Sequence, residues 1–533
     1  MNQKTLEIGQ TSFDSDLTPP LTRLTIELGK DRLTVETLVC AAKKQIDVRL
    51  CGGAEFEAMI DGGAALLDTT LEKHGGIYGV TTGYGDSCTE TVNPDQYREL
   101  PVNLTRFHGC GMGDYFDDET VRALMIIRLN TLAQGYSGVS MELLRYIEFF
   151  IKHDILPLVP QEGSVGASGD LTPLSYLAGA LIGERQVKYQ GKVRRSSEVL
   201  TELGKAPYQF RPKEAIAIMN GTAVMNAVAV LAFSDAEYLA GLACRITAMV
   251  SIALMGNAYH FNQRLFELKP HAGQALSAEK IRACLPEGKQ GALPAPARIQ
   301  DPYSIRCAPH VIGLFYDMRE TLRAFIETEM NSANDNPLID PKTQSVYHGG
   351  HFYGGHICFA MDSLKNITAN IADLLDRQLA LLVDTKYNRG LPPNLTGTLG
   401  SISLNHGFKA VQIAASAWTA EALKNTMPAS VFSRSTECHN QDKVSMGTIS
   451  ARDCARVNKL TAQVTAALML AAFQAINLRL KKNELALNSL GQTEKTYNEI
   501  SAFFKPLEND RPLEDDLRKT LKLIEERHFS LCP

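Results

Sequence analysis

The sequence predicts a mainly α protein in which an N-terminal part of mixed structure, residues 1–220, leads into a bundle of long helices, residues 221–533. Hydrophobic residues make up 44% of the chain, which is enough for a large buried core. In the second part, long helical or fully apolar segments follow one another, a pattern typical of helical bundles. These segments are Thr222–Met255, His310–Asn331, Phe359–Asp384, Ser403–Asn425 and Asp453–Leu480.

The elements outside the bundle are shorter. Weak alternation over Arg23–Leu28 predicts a strand, and the pattern of Thr34–Lys44 predicts a helix. A further helix is expected at Thr120–Gly135. The segment Lys188–Lys192 has the pattern of a small hairpin with a glycine at its turn. Near the C-terminus, Leu513–Arg527 is expected to form a charged helix.

Composition narrows the class of protein. Charged residues account for 21% of the chain and the net charge is -5, whereas nucleic acid and anionic membranes select basic patches. Met1–Asp16 is polar and lacks the apolar core of a signal peptide. Leu460–Leu480 is long enough to cross a membrane, but polar side chains interrupt it, so we interpret it as a buried helix. Eleven cysteines without a CxxC pair are typical of reduced thiols. We therefore expect a cytoplasmic protein without nucleic-acid or membrane partners.

The loop Gly163–Asp170 has the residues needed to build an electrophile from the chain itself. It lies between the apolar segment Ile155–Pro160 and a helix-like segment. If the loop bends tightly, the backbone nitrogen of Gly169 can attack the carbonyl carbon of Ala167, since glycine tolerates strained backbone angles. Loss of one water closes a five-membered ring. Loss of a second water from Ser168 leaves an exocyclic methylene, which gives a 4-methylidene-imidazole-5-one (MIO).

On these residues alone, other interpretations stay open. A loop of small residues before a helix commonly forms a turn, with Ser168 or Asp170 as N-cap, or binds an anion at the helix N-terminus. Three histidines and a cysteine lie near one another in the sequence, but their spacing fits no common zinc pattern, so we predict no metal site. These residues are His348, His351, His356 and Cys358. The chain has no Walker loop, no GxGxxG after a strand and no GxSxG elbow.

Several motifs in a fixed order resemble those of the MIO-dependent aromatic amino acid lyases, which comprise histidine, phenylalanine and tyrosine ammonia-lyases and related aminomutases. The resemblance runs from about Leu28 to about Leu490. The motifs are Tyr78-Gly79 with Thr82-Gly83-Tyr84-Gly85, Arg128-Leu129-Asn130, Gly135-Tyr136-Ser137-Gly138, Gly166-Ala167-Ser168-Gly169-Asp170-Leu171, Asn220-Gly221-Thr222, Gln300-Asp301-Pro302-Tyr303-Ser304 with Arg306, Asp335-Asn336-Pro337-Leu338 and Asn440-Gln441-Asp442. The resemblance implies the helical ammonia-lyase fold of the fumarase/aspartase-like superfamily and an MIO formed autocatalytically. It also implies a homotetramer in which each site draws loops from three subunits.

The resemblance assigns roles to single residues. Tyr78 would remove the β-proton of the substrate, which requires positive charge or hydrogen bonds to lower the pKa of its phenol from about 10. Asn220 would stabilise negative charge on the ring carbonyl, and Arg306 would bind the substrate carboxylate through two parallel bonds. The implied catalytic residues are Tyr78, Ala167, Ser168, Gly169, Asn220 and Tyr303. The implied substrate-binding residues are Phe107, His108, Gln300, Arg306, Phe352, Asn440 and Gln441.

Two positions bear on the substrate. Gln441 stands where histidine ammonia-lyases carry glutamate, and it resembles the phenylalanine and tyrosine enzymes. The ring-selecting pair aligns with Phe107 and His108, of which Phe107 suits an apolar ring edge and His108 also matches histidine ammonia-lyases. Because an unpartnered buried polar group costs ~1–3 kcal/mol, His108 favours a ring hydroxyl. We expect L-tyrosine or a similar oxygenated arylalanine, with L-phenylalanine also accepted, to give the aryl acrylate and ammonia.

Two departures and three alternatives accompany this prediction. Tyr84 replaces the family's usual phenylalanine, and His351 stands where an asparagine is common. An aromatic amino acid 2,3-aminomutase would use the same residues and return the amine to the β-carbon. A histidine ammonia-lyase would require Gln441 to serve an imidazole. A non-catalytic scaffold is disfavoured, because the intact Ala167-Ser168-Gly169 run is accompanied by Tyr78 and Arg306.

Overall fold

The computed structural model describes residues 24–73, 76–286, 299–397 and 403–532. The helices are α1 (Val35–Ala42), α2 (Ala54–Glu72), α3 (Glu99–Phe107), α4 (Asp118–Leu132), α5 (Met141–Lys152), α6 (Leu171–Leu181), α7 (Ser196–Glu202), α8 (Glu214–Met219), α9 (Ala223–Ala253), α10 (Gln263–Glu267), α11 (Ala272–Cys284), α12 (Tyr303–Arg306), α13 (Ala308–Met330), α14 (Gly355–Val383), α15 (Lys409–Lys424), α16 (Gly447–Lys481), α17 (Thr493–Ser501) and α18 (Glu514–Glu525). The strands are β1 (Thr25–Leu28), β2 (Asp47–Leu50), β3 (Met112–Tyr115), β4 (Leu156–Pro157), β5 (Pro160–Glu162), β6 (Gln186–Tyr189), β7 (Lys192–Arg195), β8 (Leu338–Asp340) and β9 (Ser345–Tyr347). Short 3₁₀ turns lie at Gly85–Thr89, Pro94–Gln96, Ala258–Phe261, Pro393–Leu395, Ala429–Phe432 and Leu487–Ser489.

The N-terminal part carries small sheets among helices. Strands β1 and β2 pair in parallel, and α1 lies between them in the chain. The hydroxyl of Thr34 accepts the backbone N–H of Thr37 at 3.2 Å and thereby caps α1. Strands β6 and β7 form the predicted antiparallel hairpin, with Gly191 at φ +75° in its turn. The predictions of the first strand, the first helix and the hairpin are thus confirmed within the described residues.

The second part is a bundle in which α9, α13, α14, α15 and α16 pack against one another. All five predicted segments are confirmed as helices, although α15 begins six residues later than predicted, at Lys409. Helices α9 and α16 are long and apolar enough to cross a membrane, but both are mostly buried inside the protein. The polar side chain of Gln474 inside α16 donates to the carbonyl oxygens of Leu395 and Leu507 at 3.1 and 2.9 Å. The side chain of Gln474 therefore supplies hydrogen bonds to carbonyl groups of neighbouring loops within the core.

One hydrophobic cluster extends from Ile26 to Cys532 and includes residues on both sides of position 220. The boundary between residues 220 and 221 stays a prediction. The expectation of reduced thiols throughout is wrong at one pair, because Cys284 and Cys532 form a disulfide. It joins the end of α11 to the C-terminal tail across a sequence separation of 248 residues. A search for CxxC spacing does not detect such a pair, since only folding brings the two cysteines together.

Candidate active site

The loop Gly163–Asp170 is sharply bent at Ser168 and Gly169. Ser168 has φ +51° and Gly169 has φ +79°, so both lie in the left-handed region. A Cβ at Gly169 would lie 2.3 Å from the carbonyl oxygen of Gly221, with which its backbone forms a bridge. Only glycine fits at this position. The bend therefore follows from packing against the turn that precedes α9.

Asp170 joins this loop to the N-terminus of α9. Its carboxylate accepts the backbone N–H groups of Val224 and Met225 at 3.0 and 2.8 Å and the hydroxyl of Thr448 at 2.5 Å. Burial raises the pKa of Asp170 to about 6, while these hydrogen bonds act in the opposite direction. The possibility that Asp170 caps the helix following it is wrong, since its side chain makes no cap bond to α6. It caps α9 instead, because the bend turns the carboxylate toward that helix.

Two side-chain amides contact Ser168. The Nδ2 of Asn220 donates to the carbonyl oxygen of Ser168 at 2.7 Å. The Nε2 of Gln441 donates to its hydroxyl oxygen at 3.1 Å. The Oδ1 of Asn220 is buried and has no hydrogen-bond partner among the described residues. The carbonyl oxygen and the hydroxyl oxygen of Ser168 thus each accept a hydrogen bond from a side-chain amide.

Tyr78 lies on a neighbouring loop, which is tied down at three points. The backbone N–H of Gly85 donates to the phenol oxygen of Tyr78 at 2.7 Å, and the N–H of Tyr78 donates to Nε2 of His348 at 3.3 Å. Glu437 accepts the N–H of Asp86 through both carboxylate oxygens, at 3.1 and 3.0 Å. The bonds from Asp86 to Glu437 hold the loop against the segment that carries Gln441, and the bond to His348 holds it against the segment after β9.

The surroundings of the Tyr78 phenol act on its pKa in opposing directions. Burial raises the pKa of its phenol, the N–H of Gly85 acts to lower it, and the charge of Glu437 raises it further. Of the two influences expected to lower this pKa, hydrogen bonding is present through the N–H of Gly85, but in the single chain it does not outweigh burial. The role of Tyr78 as the base stays a prediction.

A cavity of about 440 Å³ opens between these loops. Nine of the predicted site residues line it: Tyr78, Phe107, His108, Ala167, Ser168, Asn220, Phe352, Asn440 and Gln441. Gly169 lies buried next to them in the same loop. The remaining lining residues are Tyr84, Gly85, Leu104, Gly166, Leu171, Ile216, Asn336, Tyr353, Glu437, Asp442 and Lys443. The lining thus combines the amides that contact Ser168 with the aliphatic side chains of Leu104, Leu171 and Ile216.

The ring-selecting pair lies in this cavity. The rings of Phe107 and His108 contact each other with centroids 4.4 Å apart. Phe107 is 58% exposed in the single chain. Burial lowers the pKa of His108 to about 4, so the imidazole is neutral at physiological pH. A neutral imidazole has one donor and one acceptor nitrogen, both suited to a hydroxyl group.

Three predicted residues lie at the opposite end of the bundle. Arg306 stacks on Tyr303, with its guanidinium carbon 4.4 Å from the ring centroid, and donates from Nε to the carbonyl oxygen of Asp301 at 3.1 Å. The carboxylate of Asp301 in turn accepts the N–H of Asn257 at 2.6 Å, just beyond the C-terminus of α9. Gln300 belongs to the same segment.

The length of α9 separates the two groups. Ser168 lies near its N-terminus, whereas the segment with Tyr303 and Arg306 lies near its C-terminus. A helix of 31 residues is about 45 Å long. Within one chain, Gln300, Tyr303 and Arg306 are therefore far from the cavity. Tyr303 is 69% exposed, so its ring is free to contact another molecule.

Two residues that line the cavity were assigned no role from the sequence. Tyr84 was noted as a departure, but its hydroxyl oxygen is buried without a partner, and burial raises its pKa. Glu437 precedes the Asn440-Gln441-Asp442 motif and lies beside Gly85. Only its position close to that motif could have indicated a role for Glu437 from the sequence. Asp86, whose N–H its carboxylate accepts, is 351 residues away in the chain.

The histidines considered as metal ligands serve other contacts. His348 accepts the N–H of Tyr78, and the ring of His356 packs against Phe325 with centroids 5.1 Å apart. Within the described ranges, no group of three or more His, Cys, Asp or Glu residues is arranged to hold a metal ion.

Comparisons with known proteins identify the family of the chain. Residues 33–502 match the family model for aromatic amino acid lyases. The chain belongs to the aromatic amino acid lyase family. It is therefore an ammonia-lyase by family, and members of this family use MIO as their electrophile. The predicted resemblance and the helical fold are both confirmed.

Individual relatives of this lyase differ in their substrates. The histidine ammonia-lyase of Staphylococcus aureus strain JH9 is 33% identical over 506 residues, which cover 94% of this chain and 98% of that protein. The tyrosine aminomutase of Streptomyces globisporus has a TM-score of 0.87 and 31% identity, covering 95% of this chain and 97% of that structure. The histidine ammonia-lyase of Trypanosoma cruzi has a TM-score of 0.85 and 30% identity, covering 95% and 94%.

Proposed function

We propose that this lyase acts on L-tyrosine or a similarly oxygenated arylalanine, and also on L-phenylalanine, releasing the aryl acrylate and ammonia. The observation that carries the proposal is the shared cavity. The bent loop with Ser168, the phenol of Tyr78 and the pair of Phe107 and His108 all line it. The proposed electrophile, base and ring-binding wall would thereby surround one space large enough for an aromatic amino acid.

The residues of the loop fit the MIO cofactor. Ring closure between the nitrogen of Gly169 and the carbonyl carbon of Ala167 keeps the Ser168 carbonyl as the carbonyl of the ring. Asn220 donates to that oxygen, and Gln441 donates to the hydroxyl oxygen that must leave as water. When formed, the ring supplies an electrophile that captures the substrate amine.

Tyr78 is proposed as the base for the β-proton. Its oxygen accepts the N–H of Gly85 at 2.7 Å, a bond that favours the phenolate. Burial and Glu437 oppose ionisation in the single chain. A cation is required for Tyr78 to lose its proton near neutrality, and Arg306 is the proposed source.

We propose that other copies of the chain deliver Gln300, Tyr303 and Arg306 to this cavity, in a homotetramer. Large apolar side chains on the outer bundle helices are exposed in the single chain, which favours packing against further copies. They include Leu314, Phe359, Ile413 and Leu423. Such packing would bring an Arg306 and a Tyr303 from one copy to the Ser168 of another, and the arginine would bind the substrate carboxylate. It would also complete the predicted set of catalytic and substrate-binding residues.

The proposed preference for an oxygenated ring rests on His108 and Gln441. His108 is the neutral polar group beside the apolar wall of Leu104 and Ile216, so a ring hydroxyl would give it a partner. Gln441 is an uncharged amide, which does not offer an imidazole substrate the carboxylate found in histidine ammonia-lyases. Asn440 and Phe352 line the remaining wall.

A tyrosine 2,3-aminomutase is the second candidate, because the Streptomyces globisporus enzyme has so similar a fold. The test is an ultraviolet time course with tyrosine, phenylalanine and histidine separately, followed by assays for ammonia and for β-amino acid. Coumarate with an equal amount of ammonia is the expected result. Formation of β-tyrosine without free ammonia would instead establish the aminomutase, and urocanate from histidine alone would overturn the proposed substrate.

A further inference from the structure

A fully buried guanidinium lies directly behind Asn220. Arg128 on α4 is 0% exposed, and its Nη2 donates to the backbone carbonyl oxygen of Asn220 at 3.0 Å and to that of Ala217. Its Nη1 donates to Oδ1 of Asn334 at 2.8 Å and to the hydroxyl of Thr131 at 3.2 Å. All four acceptors are neutral. Among the described residues, no carboxylate forms an ion pair with Arg128.

This arrangement fixes the turn that presents Asn220. Ala217 and Asn220 lie in the last turn of α8 and just beyond it, where a cation is stabilised by unsatisfied carbonyl groups. A Cβ at Gly221 would lie 2.2 Å from Nη1 of Arg128 and 2.7 Å from Oδ1 of Asn334. The backbone and the guanidinium are thus packed as closely as glycine permits. The side chain of Asn220 leaves this turn toward the carbonyl oxygen of Ser168.

The polar network continues away from the cavity through Asn334, Thr222 and Glu329. Asn334 donates to the hydroxyl of Thr222 at 2.9 Å, and Thr222 donates to Glu329 at 2.6 Å. Burial raises the pKa of Glu329, which favours its neutral form. Each residue from Glu329 to Asn220 therefore makes at least one hydrogen bond within this buried network, while Oδ1 of Asn220 and Nε of Arg128 have no hydrogen-bond partner among the described residues.

The nearby charges are compensated by other groups. Asp335 forms a buried ion pair with Lys213, and Asp170 is held by the N-terminal N–H groups of α9. Burial lowers the pKa of Arg128 to about 10, so the guanidinium keeps its charge at neutral pH. A charge in a buried, weakly polarisable region acts over a longer distance than one in water. Asn220 contacts both groups: its backbone carbonyl oxygen accepts from Arg128, and its side chain donates to the carbonyl oxygen of Ser168. The electrostatic field of Arg128 therefore extends to the Ser168 carbonyl.

We infer that Arg128 is a positioning residue for the electrophile: it orients Asn220, and its buried positive charge supports negative charge that develops on the Ser168 carbonyl oxygen. This inference rests on the proposed MIO chemistry. It concerns a residue of the Arg128-Leu129-Asn130 motif to which the resemblance assigned no role. In the reaction, electron density moves toward that oxygen as the electrophile is attacked, so a fixed cation behind its donor lowers the barrier without reorganisation.

The decisive variant is Asn334→Asp, which keeps the acceptor for Nη1 in place and gives Arg128 a carboxylate partner. We expect kcat on the preferred substrate to fall roughly tenfold or more, with little change in KM, because neutralising the cation weakens support for the developing charge. An aspartate at this position cannot donate to the hydroxyl of Thr222, so this variant also loses that hydrogen bond and its thermal midpoint should be lower than that of the wild type. Intact mass shows independently whether the loop has lost its two waters.

The matched control is Thr222→Val, which breaks the other hydrogen bond of Asn334 and leaves the charge on Arg128 unchanged. We expect a lower thermal midpoint and a smaller loss of kcat than for Asn334→Asp. A fully cyclised Asn334→Asp protein with wild-type kcat would overturn the inference, and so would equal kcat losses in the two variants. Failure of the wild-type protein to lose two waters would instead refute the proposed cofactor, so the two failures are distinguishable.

Discussion

The side chain of Asn220 donates to the carbonyl oxygen of Ser168 at 2.7 Å, across 52 residues of sequence. That oxygen would become the carbonyl oxygen of the cofactor ring. We predict that Asn220→Ala lowers kcat by ~10²–10³, the usual cost of removing one donor to a developing oxyanion. Intact mass separates the two possible effects: a protein that has lost two waters but turns over slowly has lost only the donor. Wild-type kcat in this variant would contradict the assignment.

The hydroxyl of Ser168 is expected to be indispensable for activity and dispensable for folding. In Ser168→Ala the ring can close, but no hydroxyl remains to leave as the second water. The side chain is only partly buried and contacts Gln441, so its loss should change the free energy of unfolding by less than ~1 kcal/mol. Turnover, thermal unfolding and intact mass of the same preparation test this prediction. Normal turnover would refute the cofactor, whereas a large loss of stability would mean that the hydroxyl has a structural role.

The local parts of the site follow from sequence patterns. Small residues at Ala167-Ser168-Gly169 indicate a tight bend, and the apolar segments indicate the long helices. The sequence pattern does not show which residue each polar side chain contacts in the folded protein. Asp170 is a good cap in any loop, but only the fold decides that it caps α9. Arg128 looks like an ordinary helix residue until the carbonyl of Asn220 lies against its guanidinium.

The grouping of distant motifs is the least predictable feature. The resemblance assigns Arg306 and Tyr303 to the same functional set as Ser168, yet in one chain the two groups lie near opposite ends of α9, a helix about 45 Å long. A set of motifs identifies the residues of a site without saying which copy of the chain supplies them. The pairing of Cys284 with Cys532 is invisible for a related reason, because no local spacing connects them.

Complementation between chains tests the proposed sharing of sites. Tyr78→Phe and Arg306→Gln should each inactivate the enzyme when expressed alone. If the two residues of one site come from different copies, co-expression of both variants should restore activity at about one site in four by random assortment. Size-exclusion chromatography with light scattering measures the oligomer in parallel. As control, Tyr78→Phe is co-expressed with the double variant, which should stay inactive. Absence of recovery in mixed oligomers would place both residues on one chain.

The disulfide between Cys284 and Cys532 predicts a thiol count. After denaturation without reductant, titration should find nine free thiols, and after reduction eleven. Cys532→Ser should cost ~2–5 kcal/mol of stability, because the bond closes a long loop. The exposed Cys88→Ser serves as the control and should leave the thermal midpoint unchanged. Eleven free thiols before reduction would exclude the bond and agree with the cytoplasmic location that we propose, where disulfides are rare.

His108 predicts a pH dependence of stability. Its pKa is lowered by burial to about 4, below the ordinary value near 6.5. The unfolded chain therefore binds a proton between these two values while the folded chain does not, so stability is present above pH ~6.5 and is lost as the pH falls toward ~4. His108→Leu should lose less stability over this range. Nuclear magnetic resonance of the imidazole protons should show no titration above pH ~5. A midpoint near ~6.5 would mean that the ring is solvated in the assembled enzyme.

His108 is also expected to read the ring substituent. Because its imidazole is neutral and lies beside an apolar wall, a phenol hydroxyl gives it a hydrogen-bond partner that an unsubstituted ring does not. Replacing it by leucine should lower the ratio of kcat/KM for tyrosine to that for phenylalanine roughly tenfold, mostly through loss of tyrosine activity. Tyr353→Phe is the matched control, since it removes a hydroxyl that lines the same cavity but already bonds to the carbonyl oxygen of Val444. This control should leave the ratio unchanged. If His108→Leu also leaves it unchanged, hydroxyl recognition must come from another lining residue, and Tyr84, whose buried hydroxyl lacks a partner among the described residues, becomes the first one to vary.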